Sequence, residues 1–158
     1  MEENEYEDYR LVQELNLLLD HADTLVLRAF NLTTTQFYAL RLLDTGEGWR
    51  LTDMSKRLIC ERSTVTRLVD FLESQGLVSR TADPVDRRSQ RVTLTAAGVA
   101  LRDQAQAALQ EAIRRRFSVL SPDEVQQLLE MHRRLRAVVS AEIEQGLREP
   151  INTSSESL

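Results

Sequence analysis

Two short stretches of the chain carry side chains whose types and spacing suit recognition of an anionic, hydrogen-bonding surface. In the first, Val65, Leu68, Val69 and Leu72 recur at i, i+3, i+4 and i+7, which turns them to one side of a helix. The outer face at the start of that helix is then left with Arg62, Ser63, Thr64, Thr66 and Arg67. Arginine can donate in bidentate fashion to a guanine edge, and Ser or Thr can reach phosphates or a thymine methyl. The second stretch, "DPVDRRSQRVTLT" at residues 83–95, begins as an Asp-Pro turn and ends as a half-exposed strand, with Arg87, Arg88 and Arg91 between. A narrow hairpin tip of this kind fits a minor groove, whose negative potential attracts an inserted guanidinium. Asp86, two residues from Arg88, can hold that fork by a charge-assisted hydrogen bond. Each stretch taken alone also fits a plain solvated helix face or loop.

Other chemistry has little to stand on. The chain has no GxxxxGK phosphate loop, no GxSxG elbow, no CxxC pair and no HExxH helix, so no catalysis and no cofactor are expected. His21 sits between Asp20 and Asp23 but lacks a third ligand, and His132 lies on another helix, so both read as surface histidines and no metal is expected. The single Cys60 has Arg57 and Arg62 near it in sequence, cations that could lower a thiol pKa and make it a redox switch. Its neighbours Leu58 and Ile59 favour a small buried side chain instead.

Across 158 residues the formal net charge is -5, with 42% hydrophobic and 28% charged residues, an ordinary balance for one globular body. The acidic total hides a basic middle. Residues 50–95 hold nine Lys or Arg side chains against six Asp or Glu, so both stretches above fall in a segment of opposite sign to the rest. The apolar runs are too short to span a membrane, the N-terminus is acidic, and a lone cysteine fits a reducing compartment. A cytoplasmic protein with no membrane partner is expected.

The elements that must position these residues can be read from periodicity and punctuation. A long amphipathic helix covers 6 to about 29, and "LTTTQFYALRLL" opens a second with Thr33 and Gln36 at capping-box spacing. "DTGEGWR" breaks the pattern. A third helix starts near Thr52 or Asp53 with Met54, Leu58 and Ile59 inward, and the fourth ends at Gly76. "LVSR" and "RVTLT" then flank the Asp-Pro turn as two strands of a hairpin. Thr95 caps a long helix over 96–117, and "SPDE" at 121–124 starts the last one, which runs to about 147. The fold class is mostly α (α+β): a winged helix-turn-helix with long outer helices. Its expected division is 1–30, 31–95, 96–148 and a loose tail at 149–158. Leu15, Leu19, Leu128, Leu135, Val139 and Ile143 exceed what one small winged core can bury, so the outer helices want a second copy in a symmetric dimer.

The stretches "STVTRLVDFLESQGLVSR" and "DPVDRRSQRVTLTAAG" together resemble the recognition helix and wing of the MarR family of transcriptional regulators. The helix motif, the Asp-x-Arg of the wing and the following Leu-Thr-x-x-Gly all occur in register. The resemblance implies a homodimeric repressor that binds a pseudo-palindromic site on double-stranded DNA and is released by small aromatic acids, phenols or oxidants. It places Arg62, Ser63, Thr64, Thr66 and Arg67 on the DNA-reading helix, and Asp86, Arg87 and Arg88 on the wing. It also implies an effector pocket between the dimer helices and the winged domain, where Trp49, Phe30, Phe37 and Tyr38 could line it, although the residues themselves favour reading all four as core. Glu61 and Phe71 depart from the family pattern, which favours a Ser cap and a charged residue there. Single-cysteine sensors of the family carry their thiol in the first helix, where this chain has none. The alternatives are a winged-helix module that binds protein instead of DNA, and a thiol-based regulator acting through Cys60.

Overall fold

The computed structural model describes residues 3–86 and 89–146. The chain forms two compact units, residues 1–112 and 113–158, with the boundary inside the helix that follows the hairpin.

In the first unit, α1 (Glu3–Leu27) passes into a single 3-10 turn, Arg28–Phe30, and then α2 (Thr34–Leu42). The start of α2 follows its sequence signature. The Gln36 amide donates to Thr33 Oγ1 at 3.2 Å and the Thr33 amide donates back to Gln36 Oε1 at 2.9 Å, a reciprocal cap. Between α2 and the third helix lies a strand that periodicity could not reveal, β1 (Trp49–Arg50). Two residues are too few to alternate.

α3 (Leu51–Leu58) begins directly after β1, so its N-cap is Arg50, without a side-chain cap, and not Thr52 or Asp53. Met54 is buried as expected, but Ile59 is not inward. It closes the helix in the left-handed conformation (φ 52°) and is 79% exposed, because reversing the chain toward the next helix takes precedence over burying this residue. Cys60 is half-buried against the core. α4 (Arg62–Ser74) buries Val65, Val69 and Leu72 completely, with Leu68 half-buried beside them. Gly76 stops it at φ 69°, and the Leu77 amide reaches back to the Leu72 carbonyl at 3.0 Å.

β2 (Val78–Ala82) and β3 (Gln90–Leu94) form the expected hairpin, each shifted by about a residue. They join β1 in an antiparallel sheet of order β1-β3-β2, with Trp49 opposite Val92 and Arg50 opposite Arg91. Thr95 then links the sheet to α5 (Ala96–Phe117): its hydroxyl donates to the Gly76 carbonyl at 2.7 Å and accepts from the Gly98 amide at 3.0 Å. Gly98 presses so closely on β2's approach that a Cβ there would lie 2.0 Å from the Leu77 carbonyl oxygen. Only glycine fits.

The core of this unit gathers Leu27, Leu32, Phe37, Leu40, Met54, Val65, Val69, Leu72, Val92 and Leu109. Side chains of this size each stabilise a fold by about 1.5–3 kcal/mol when fully buried. Among the four aromatics read as core, Phe37 is buried, and Trp49 and Phe30 are partly buried against the core cluster. Tyr38 instead faces out, with the Arg41 guanidinium 5.9 Å from its ring centre. Along α1, Leu11, Leu15, Leu18 and Leu25 are each more than half exposed.

The second unit contains the end of α5 and α6 (Pro122–Gly146). The start of α6 also follows its signature, with the Ser121 amide donating to Glu124 Oε2 at 2.7 Å and the Glu124 amide donating to Ser121 Oγ at 3.3 Å. No residue of α6 is buried, and Leu135, Val138, Val139 and Ile143 are exposed. The tail expected at 149–158 lies outside the described residues. Among the described residues no helix is long and apolar enough to cross a membrane.

Candidate nucleic-acid interface

Helix α4 turns its apolar stripe to the core, and that burial fixes what remains outside. Arg62, Ser63, Thr64 and Arg67 are exposed at its N-terminal half, and Thr66 is half-buried, its hydroxyl donating to the Arg62 carbonyl at 2.9 Å. Glu61 is the N-cap but makes no side-chain hydrogen bond to the helix; its carbonyl receives the Thr64 and Val65 amides. The positive end of the helix dipole therefore carries no side-chain cap, an arrangement that favours an incoming anion.

The far end of α4 is held by Arg80 of β2. Its guanidinium pairs with Glu73 and Asp70, and Glu73 also accepts the Arg80 amide. Helix and hairpin are thus braced by charge as well as by packing.

At the outer end of the hairpin the organising residue is Asp83, whose role the sequence did not reveal. It is buried, and both carboxylate oxygens are occupied. Oδ1 accepts the amides of Val85 at 2.8 Å and Asp86 at 3.0 Å, while Oδ2 accepts Nε of Arg50 at 2.7 Å and Nε of Arg91 at 2.8 Å. Arg50 and Arg91 stand opposite one another on β1 and β3, where two like charges would repel. The carboxylate between them removes that conflict. Hydrogen bonding from Arg50 is the largest influence holding the Asp83 carboxyl far below the usual aspartate range, and in return it raises the Arg50 pKa. The backbone completes the turn: the Asp83 amide donates to the Ser89 carbonyl, the Ser89 amide donates to the Asp86 carbonyl, and Ser89 Oγ donates to Asp86 Oδ2 at 2.7 Å.

Arg91 is therefore not a free cation of the hairpin tip. It is spent on Asp83, with Nη1 also directed at the carbonyls of Glu47 and Gly48. Arg87 and Arg88 themselves lie outside the described residues. Arg50, Arg80 and Arg91 are neutralised by Asp83, Asp70 and Glu73. Lys56, Arg57, Arg62 and Arg67, on α3 and α4, are exposed and make no ion pair among the described residues. Among the described residues, the cations of the middle segment that make no ion pair fall on the helix-turn-helix.

A separate groove of about 270 Å³ is lined by Phe30, Asn31, Leu32, Phe71, Gln75, Leu77 and Leu101. Of the aromatics expected around a pocket it uses only Phe30, and it adds Phe71, the position that departs from the family pattern. Among the described residues no group of three His, Cys, Asp or Glu side chains could hold a metal ion.

Comparison with known proteins agrees with this geometry. Residues 32–90, from α2 to the start of β3, match the MarR family model. The chain is 38% identical over 95 residues to the uncharacterised HTH-type transcriptional regulator YkoM of Bacillus subtilis, which covers 60% of this chain and 62% of that protein. The chain thus spans less than two thirds of that relative. A solved structure of the transcriptional repressor CouR bound to a 23-mer DNA duplex superposes with a TM-score of 0.77 at 27% identity, over 86% of this chain and 98% of that one. A mutant MarR from Escherichia coli complexed with operator DNA superposes with a TM-score of 0.73 at 27% identity, over 80% and 91%. With the helix and wing motifs in register on a shared fold, the chain is similar to the MarR family of winged helix-turn-helix transcriptional regulators, by sequence over residues 32–90 and by fold over most of its length.

Proposed function

We propose that the protein is a transcriptional repressor that binds a pseudo-palindromic site on double-stranded DNA as a homodimer and is released by a small ligand. The observation that carries this reading is the outer face of α4. In a chain of net charge -5, Arg62 and Arg67 are exposed, unpaired among the described residues and flanked by Ser63 and Thr64 at an open helix start. A face that is polar, donor-rich and without a bulky apolar side chain suits base edges and phosphates better than it suits a protein partner. Arg62, Ser63, Thr64, Thr66 and Arg67 would meet the major groove. Asp86, Arg87 and Arg88 would meet the adjacent minor groove.

Dimerisation is supported by the exposed apolar rows of α1 and α6, which a second copy would cover. A two-fold axis would set two α4 helices about one DNA turn apart, roughly 34 Å, and so select an inverted repeat with half-sites about 10 base pairs apart. The shallow groove at Phe30 and Phe71 is the place where a small effector would be sought, with Asn31 and Gln75 as polar partners.

Selection of duplexes from a randomised pool, followed by a mobility shift, tests the reading. Enrichment of an inverted repeat is expected. A protein that enriches no sequence, or enriches a direct repeat, would contradict it.

A further inference from the structure

We propose that Asp83 is a positioning residue for DNA binding: by joining Arg50 to Arg91 it sets the wing relative to the helix-turn-helix, so that a buried acid strengthens the hold on a polyanion. The inference rests on the DNA-binding reading above and deepens it.

The division of labour between the two carboxylate oxygens carries the argument. A turn of this type needs only one acceptor, and Oδ1 supplies it to the Val85 and Asp86 amides. An asparagine would serve there equally well. Oδ2 does something the turn does not need, because it receives one guanidinium from each of two strands. Arg91 belongs to β3, a strand of the hairpin itself, whereas Arg50 ends β1 and is the residue from which α3 departs. The Arg50–Asp83 bond spans 33 residues and fastens the outer end of the hairpin to the first helix of the helix-turn-helix.

Without the carboxylate, Arg50 and Arg91 would face each other as like charges across the β1–β3 ladder, and β1 would be pushed from the hairpin. The ladder there is only two residues long on the β1 side, and apart from the Asp83 bridge it is backed by Arg91 Nη1 at the Glu47 and Gly48 carbonyls and by the Leu94 amide on the Asp44 carbonyl, so a modest shift of β1 and not its release is expected. α4 would still present Arg62 and Arg67, because its stripe and the Arg80 clamp are independent of Asp83. Loss of Asp83 should therefore detach one groove contact from the other while leaving each element folded.

The test uses the full-length protein and a duplex that it has itself selected from a randomised 30-base-pair pool. Asp83→Asn keeps the volume and the acceptor for the turn amides but removes the charge between the arginines. We expect it to stay folded by circular dichroism, to keep protection of guanine N7 in the major groove, to lose hydroxyl-radical protection in the flanking minor groove, and to bind about tenfold more weakly. Its salt slope should fall by about one per wing. Arg50→Met should produce the same footprint, and the double variant little further loss, since both act through one bond. Should Asp83→Asn fail to fold, Arg50→Met, which leaves Arg91 on Asp83, decides the matter by the same footprint.

Parental minor-groove protection in the folded variants would overturn the inference, as would tighter binding by Asp83→Asn, the result that simple charge removal predicts. A parent protein that selects no duplex would overturn it together with the DNA-binding reading. A parent that binds while both variants match it would overturn the inference alone.

Discussion

The winged core and the outer helices are built from the same kind of sequence, and they use it in opposite ways. In α4, Val65, Val69 and Leu72 recur at helical spacing and disappear completely into the core. In α6, Leu128, Leu135, Val139 and Ile143 recur in much the same manner, yet all remain exposed. Apolar periodicity specifies that a face must be covered; it does not specify by what. Where sheet, cap and neighbouring helices lie within reach, the cover is intramolecular. Where a helix of 25 residues has no residue buried, the apolar face stays exposed, and a second copy is the proposed cover.

The contrast can be broken most sharply by cutting one apolar side chain from each region. Phe37→Ala, in the core, should cost about 3–5 kcal/mol of folding free energy, measured as a lowered urea midpoint with unchanged slope. Leu135→Lys, on α6, should convert a dimer to a monomer in light scattering while the helical content of the separated chain stays near that of the parent, with a urea midpoint lowered only by the loss of association. If Leu135→Lys stayed dimeric at micromolar concentration, the reading of the outer helices as a dimer surface would be lost. If it unfolded the chain, α6 would be part of a core after all.

Smaller changes sharpen the same comparison within the core. Gly98→Ala drives a methyl toward the Leu77 carbonyl and should destabilise by about 1–3 kcal/mol, read by thermal melting. An equal or higher melting temperature would mean that α5 can shift freely from the sheet. Arg67→Ala should leave stability unchanged and cost about 1–3 kcal/mol in operator binding, with relaxed preference at one position per half-site. Equal losses on selected and random duplexes would make Arg67 a phosphate contact.

The smallest effect is expected at the start of α6. Hydrogen bonds from the Ser121 amide and then its hydroxyl lower the Glu124 pKa below the ordinary glutamate value. A carboxylate whose folded pKa is depressed contributes stability that is present above its unfolded pKa and is lost as pH falls through the folded one. Acid titration of Glu124→Gln should thus show a shallower loss of helicity below the ordinary glutamate range than the parent shows. Parallel curves would mean that the cap does not respond to the charge.

These outcomes separate two kinds of information in the chain. The caps at Thr33, Thr95 and Ser121, the stop at Gly76, the buried stripe of α4 and the hairpin after it were all legible, because each depends on residues within about one helical turn or on strict alternation. The candidate DNA-facing residues of α4 followed from that stripe by subtraction. By itself the sequence also determined which helices carry more apolar surface than they can hide. Tertiary structure alone decided that Trp49–Arg50 is a strand, since two residues pair only once β3 is beside them. It turned Ile59 outward, where the chain reversal outranked an apolar side chain. It also took Arg91 from the finger and gave it to Asp83 together with Arg50, a partner 33 residues away from that acid. An ion pair of that span has no period and no motif; it exists only because the sheet brings β1 and β3 into register around one buried carboxylate.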